Sequence, residues 1–136
     1  MFLSGGSERF LHVGQLIGHD GPIESVRFTD DSKYCLTAGQ DRTVRLWNPL
    51  CLDSRNEALP MHAYRSGHVH AVTCVANHET TLLSASDKTI VVTDMVNAKV
   101  KQRLSAAHIG RINDVALRND TIYASASYDG TLKLWD

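Results

Sequence analysis

Apolar residues recur in short alternating runs: Phe10 to Leu16, Ile23 to Thr29, Tyr34 to Ala38, Thr43 to Trp47 and Met61 to Arg65. The rhythm continues through Val72 to Ala76, Thr81 to Ala85, Thr89 to Thr93 and Val100 to Leu104, then Ile112 to Leu117, Thr121 to Ala126 and Thr131 to Trp135. A period of two places alternate side chains on opposite faces of a strand, whereas no stretch carries the longer period of an amphipathic helix. The pattern predicts an all-β chain. Short polar turns separate the first two strands of each group, at Asp30-Asp31-Ser32, Asn77-His78-Glu79 and Asn119-Asp120. Their side chains can cap backbone groups there.

The runs fall into three copies of one unit. Each begins at a histidine (His19, His68, His108) and has apolar residues four and seven positions later: Ile23 and Val26, Val72 and Val75, Ile112 and Val115. The three-residue step between those positions breaks strict alternation and predicts a β-bulge. Each copy also has an aspartate (Asp41, Asp87, Asp129) six positions before Trp47, Thr93 and Trp135. The histidines are 49 and then 40 residues apart, near the period of repeats that build propeller blades. The longer first interval holds Pro49 and Pro60, so 49–60 reads as a surface insertion and the segment expected to move most.

Counted in order, the strands run one, three, one, three, one, three. The first run therefore reads as a blade's last strand, and Trp135-Asp136 closes the third unit without a fourth. An amino-terminal strand can complete a final blade and hide its edge. Three blades are fewer than a ring requires, so further blades or a second copy are expected to close it. A piece of a longer seven-bladed protein is the favoured reading, and a homodimer the lesser one. We divide the chain into a tail, 1–8, and a repeat domain, 9–136, with repeats at about 18–48, 67–94 and 107–136.

Gly18-His19, Thr37-Ala38-Gly39-Gln40-Asp41 and Thr43-Val44-Arg45-Leu46-Trp47-Asn48 resemble a WD40 repeat, as do Ala107-His108, Ser125-Ala126-Ser127-Tyr128-Asp129 and Gly130-Thr131-Leu132-Lys133-Leu134-Trp135-Asp136. The resemblance implies a WD40 β-propeller segment of three four-stranded blades, an incomplete ring with its N-terminal strand permuted. It also implies a hydrogen-bonded chain through Trp47, Thr37, His19 and Asp41, and through Trp135, Ser125, His108 and Asp129. The residue types suit it: an indole N–H only donates, a hydroxyl accepts and passes a bond to an imidazole, and the imidazole N–H ends on a carboxylate. The middle copy departs, because Ser84 to Asp87 is one residue shorter and Thr93 stands in place of tryptophan. Its network of His68, Ser84 and Asp87 is expected to be incomplete. Val26-Arg27-Phe28, Tyr34-Cys35-Leu36-Thr37 and Leu46-Trp47-Asn48-Pro49-Leu50 look like the mitogen-activated protein kinase organiser type of WD-repeat protein. That likeness implies kinase-cascade or spliceosomal partners.

Composition narrows function. Hydrophobic residues make up 43% of the chain, enough for a core, and the formal net charge is −1. Basic and acidic residues are interspersed, so the footprint of a nucleic-acid or membrane binder is missing. No run reaches the roughly 20 apolar residues of a membrane span, and Met1 to Gln15 carries Ser, Gly, Glu, Arg and His where a secretion signal needs an apolar stretch. We therefore expect a soluble protein of the cytoplasm, the nucleus or both. Cys35, Cys51 and Cys74 are odd in number and lack C-x-x-C spacing, so neither a disulfide framework nor a zinc site is expected.

The remaining chemistry-bearing residues have bland explanations. Ser125, His108 and Asp129 match a catalytic triad by type; but their pattern recurs in the other copies, whereas a catalytic set is needed once, in a cleft. His62, His68 and His70 suggest a metal; His68 is better used within its repeat, leaving His62, His70, His78 and His12 as solvated residues. No cofactor or metal is expected. Lys33, Arg42, Arg45, Arg55, Arg65 and Arg111 offer an RNA-contacting reading as the alternative, without the aromatic platform such a surface uses. The favoured function is a non-catalytic scaffold for protein complexes. In WD40 propellers, partners touch the third and fifth positions after the histidine and the one before the aspartate. The resemblance carries these to Pro22, Glu24 and Gln40; to Ala71, Thr73 and Ser86; and to Arg111, Asn113 and Tyr128. Arg111 and Tyr128 are the residue types most often found as interface anchors.

Overall fold

The computed structural model describes residues 9–65 and 67–136; the 1–8 tail lies outside the described residues. Among the described residues all regular structure is β, and no helix is long and apolar enough to cross a membrane. The strands form three antiparallel sheets that stack as blades of an open arc, with one small parallel pair beside the first.

Blade 1 contains β2 (Ile23–Phe28), β3 (Cys35–Gly39), β4 (Val44–Trp47) and β6 (His62–Tyr64), in that order across the sheet. Blade 2 contains β7 (Cys74–His78), β8 (Thr81–Ser86), β9 (Thr89–Asp94) and β10 (Lys99–Leu104). Blade 3 contains β11 (Ile112–Leu117), β12 (Tyr123–Ser127) and β13 (Leu132–Trp135). The pairing register shifts between Ile23 and Ser25 and between Ile112 and Asp114. These are two of the three three-residue steps in the sequence, resolved as bulges; the pairing of β7 with β8 runs from Cys74 without a shift, and a further shift lies between Val100 and Gln102.

Alternation along the strands builds the two blade interfaces. Leu36, Ala38, Val44 and Tyr64 of blade 1 pack on Val72, Val75 and Leu82 of blade 2. Cys74, Leu83, Ala85, Ile90 and Val92 on the other face of blade 2 pack on Ile112, Val115 and Tyr123 of blade 3. Burying one such aliphatic side chain stabilises the fold by about 1.5–3 kcal/mol. Burial raises the thiol of Cys35 above its ordinary value and takes that of Cys74 up to about 11, so both behave as small apolar core residues.

The arc ends in a bare apolar face. Leu132 and Leu134 are 66% and 73% exposed, although Val44 and Leu46, at equivalent places on β4, are packed against the neighbouring blade.

One expectation needs revision. The run Phe10 to Leu16 contributes only β1 (Gln15–Leu16), which pairs in parallel with β5 (Glu57–Ala58) inside the long connection. Phe10, Leu11 and Val13 are exposed: a strand persists only where a neighbour satisfies its backbone, and β5 offers two residues. The connection is itself organised. Asp53 accepts backbone N–H bonds from Arg55 and Glu57 at 2.8 and 3.0 Å, and the amides of Gln15 and Ile17 donate to Asn56 and Ala58.

Candidate functional site

The polar residues of each unit gather at one end of its blade. In blade 1 the β3–β4 turn, Gly39 to Thr43, brings Asp41 back under the segment that carries His19. A β-carbon at Gly39 would lie 2.8 Å from the carbonyl oxygen of Pro22, so that approach of strand to segment requires glycine. The Trp47 indole N–H donates to Thr37 Oγ1 at 2.8 Å. Thr37 Oγ1 lies 2.6 Å from His19 Nε2, and His19 Nδ1 lies 2.9 Å from Asp41 Oδ2. Because the indole only donates, the hydroxyl donates onward to Nε2 and the Nδ1–H donates to the carboxylate.

Asp41 has further donors. It accepts from the Asp20 amide at 3.0 Å, from the Thr43 amide and hydroxyl at 3.1 and 2.8 Å, and from Arg45 at 3.3 Å. Burial opposes ionisation, but the Asp20 amide, the Thr43 hydroxyl and the His19 imidazole outweigh it and hold this carboxyl far below the ordinary range.

Blade 3 repeats the arrangement. Trp135 donates to Ser125 Oγ at 2.9 Å, Ser125 Oγ lies 2.7 Å from His108 Nε2, and His108 Nδ1 lies 3.0 Å from Asp129 Oδ2. The Thr131 hydroxyl and amide, with the Ile109 amide, also bond Asp129. The hydroxyl bond is foremost in holding this carboxyl far below its usual range. Ser125 and His108 are buried and the hydroxyl already accepts the indole. The triad-like trio therefore presents no nucleophile to solvent.

Blade 2 is different. His68 Nε2 lies 2.8 Å from Ser84 Oγ, and there the chain of bonds stops. Ser86 and Thr89 pair directly, leaving a turn of Asp87 and Lys88 alone. Asp87 takes the left-handed conformation, at φ 52°, which aspartate tolerates better than most residues. Its carboxylate makes no hydrogen bond among the described residues, so Asp87 leaves the network the sequence assigned to it. His68 Nδ1 and Ser86 Oγ are buried without partners among the described residues. Burial, aided by the positive charge of Arg103, brings the His68 pKa down to about 4.

The nine predicted contact residues do not form one surface of equal exposure. Pro22, Glu24 and Gln40 are exposed, and the Gln40 amide donates to Glu24 at 2.8 Å. Arg111, Asn113 and Tyr128 are exposed too, with the Arg111 guanidinium 5.4 Å from the Tyr128 ring centre. The blade 2 set is withdrawn: Ala71 and Thr73 are half-buried, Thr73 donates to the carbonyls of Ala85 and Ile112, and Ser86 is 2% exposed. Ser86 thus cannot present itself to a partner, because the shortened turn folds it inward. Arg45, counted among surface cations, is also buried and committed to Asp41 and Thr43.

Sequence reasoning missed Thr43 and Thr131, although a threonine two positions after each aspartate was a visible signal. It also missed an open groove of about 600 Å³ between blades 1 and 2, lined by Tyr34, Leu46, Tyr64 and Met95 beside Asp31 and Glu79. Among the described residues, His78, Glu79 and Asp120 are the His and carboxylate group with spacing suited to a cation. His78 Nδ1 already lies 3.0 Å from Asp120, a bond that raises the His78 pKa.

Residues 10–48, 60–94 and 99–136 match the family model described as WD domain, G-beta repeat. The chain belongs to the WD40 family. Among similar WD-repeat proteins, the WD repeat domain-containing protein 83 homolog of Dictyostelium discoideum is 29% identical over 122 residues, covering 89% of this chain and 36% of that protein. Autophagy-related protein 16 of Arabidopsis thaliana is 28% identical over 127 residues, covering 91% and 24%. U3 small nucleolar RNA-associated protein 13 of Saccharomyces cerevisiae is 29% identical over 137 residues, covering 88% and 16%. This WD40 chain thus spans little more than a third, or less, of these relatives. WD40 repeats are generally non-catalytic.

Proposed function

We propose that this WD40 segment is a non-catalytic scaffold that holds protein partners at the turns beside its networks. The observation that carries the reading is the exposed Arg111–Tyr128 pair. It sits on a turn fixed from beneath, because the Tyr128 amide donates to the Arg111 carbonyl and the Ser127 hydroxyl donates to the same carbonyl at 2.9 Å. Rigid presentation lowers the entropy lost on binding, and aromatic and arginine side chains dominate interface energetics. Pro22, Glu24, Gln40 and Asn113 extend the surface.

Kinase-cascade signalling or pre-mRNA splicing is the process we assign to it, on the likeness of the first repeat; cytoplasm, nucleus or both are the matching locations. The named relatives span autophagy and small nucleolar RNA-associated work, which supports complex assembly as the shared theme.

Quantitative affinity purification of the tagged chain tests this, with Arg111→Ala and Tyr128→Ala compared against wild type. Loss of specific kinase-pathway or spliceosomal partners, at unchanged thermal stability, is the expected result. An unchanged partner set in both folded variants overturns the surface assignment. RNA affinity that falls steeply with salt would instead favour the RNA-contacting alternative.

A further inference from the structure

We propose that a second copy of this chain covers both ends of the arc at once, head to tail, its first blade seated on blade 3 and its Val13 to Gln15 run added to blade 3 as a fourth strand. The two internal junctions show what each end lacks. Four and seven positions after the repeat histidine, Val72 and Val75 are buried against blade 1, and Ile112 and Val115 against blade 2. Their counterparts in blade 1, Ile23 and Val26, are 52% and 60% exposed, and Phe28 further along the same strand is exposed too. Three and five positions after the repeat aspartate, Ile90 and Val92 are buried against blade 3, whereas Leu132 and Leu134 face solvent. The leading face of blade 1 is thus the mate of the trailing face of blade 3.

The backbone is complementary in the same sense. In blades 1 and 2 the fourth strand lies on the third in one register: Tyr64, four residues before His68, is opposite Val44, and Leu104, four before His108, is opposite Ile90. Gln15 lies four before His19, and among the described residues β13 pairs with β12 alone. The shared register sets Gln15 opposite Leu132, Gly14 opposite Lys133 and Val13 opposite Leu134. Gln15 and Ile17 spend their amides on β5, and neighbouring residues of a strand direct their backbone groups to alternate edges. Gly14 and Leu16 therefore keep theirs for the opposite edge. The run that lacks a hydrogen-bonding neighbour and the strand that lacks a fourth partner satisfy one another.

No charge has to be buried at Ile23, Val26, Phe28, Leu132 or Leu134. Two arcs of three blades joined at both ends make six, a number within the range that closes a ring, and a head-to-tail junction that closes recruits no further copies. The assembly does not rest on the scaffold reading.

Sedimentation equilibrium of the full chain over a concentration series tests this. The mass should rise from one chain to two and stop there. Leu132→Asp with Leu134→Asp disables the trailing face, and Val26→Asp with Phe28→Asp disables the leading one. Each pair places carboxylates where the junction excludes water, and should weaken self-pairing by about a hundredfold or more. Neither variant should pair with itself, yet their equimolar mixture should pair through the one junction that both leave intact. All four positions are exposed in the single chain, so folding should survive. Should a variant not fold, the wild type alone decides: the Gly14 amide, and those of β13 directed away from β12, should exchange more slowly as concentration rises. A wild-type chain that stays single or grows past two copies overturns the proposal. So does a dimer that persists in either folded variant, a mixture of folded variants that does not pair, or exchange that ignores concentration; the two faces are then left to blades on another polypeptide.

Discussion

Blades 1 and 2 both join a serine or threonine hydroxyl to a histidine, at 2.6 Å from Thr37 to His19 and at 2.8 Å from Ser84 to His68. From there they diverge. Blade 1 extends the contact both ways, to an indole and to a carboxylate that ties in Asp20, Thr43 and Arg45. Blade 2 extends it neither way, yet its strands are buried as fully, because Leu82, Leu83, Ile90 and Val91 are sandwiched between two neighbours. Polar networks and apolar stacking are thus separable supports. A blade at the end of the arc rests on its network, whereas a blade in the middle rests on its neighbours.

The comparison breaks most visibly at the fourth network position. Trp47 is fully buried and its indole holds Thr37, so Trp47→Ala should cost about 3–5 kcal/mol in denaturant unfolding. Thr93, its counterpart, makes no side-chain bond among the described residues. Thr93→Val should leave the midpoint nearly unmoved, and equal losses at both sites would erase the distinction.

Acid should find blade 2 first. His68 is held neutral in the fold, with its pKa down from 6.5 to about 4, so the unfolded chain takes up a proton that the folded chain refuses. Stability should therefore drop as pH falls from about 6.5 to about 4, by on the order of 3 kcal/mol. Urea midpoints across that window should flatten in His68→Gln. Asp41 and Asp129 titrate below their ordinary value of 3.8 in the fold. Their contribution persists through that window and is lost only as pH falls below it.

A smaller contrast lies in the aspartates themselves. Asp41→Ala leaves buried donors unmet and should cost about 1–3 kcal/mol, whereas Asp87→Asn, which keeps a residue suited to the left-handed conformation, should stay within about 0.5 kcal/mol by thermal melting. Least of all should come from Arg27, whose guanidinium reaches from blade 1 to Asp114 of blade 3 at 3.3 Å. Both groups are exposed, so Arg27→Ala should cost no more than about 1 kcal/mol, and less in salt.

Much of this was legible in the residues. The histidine spacing located the blades, two of the three three-residue steps located bulges, and the missing residue before Asp87 marked the impaired network. What the sequence could not convey was direction. Removing one residue from a β-turn does not merely lengthen a gap; it takes the Asp87 carboxylate out of the network and buries Ser86, which had been assigned to the surface. Arg45 misled for a similar reason, since a cation is counted as surface until a carboxylate is found beside it. The Phe10 to Leu16 run had a strand's pattern, but a pattern supplies no hydrogen-bonding neighbour.

The parallel pairing of β1 with β5 has a consequence in time rather than in strength. Two residues are joined there across some forty residues of chain, for little burial, whereas Leu36 and Leu83 sit in wholly enclosed sheets. Amide protons report such differences directly. Those of Gln15 and Ile17 should exchange with solvent through local opening, long before those of Leu36 and Leu83, which wait for the whole arc to unfold. The first blade therefore carries a fastening that comes loose and closes again many times within the lifetime of the fold it adorns.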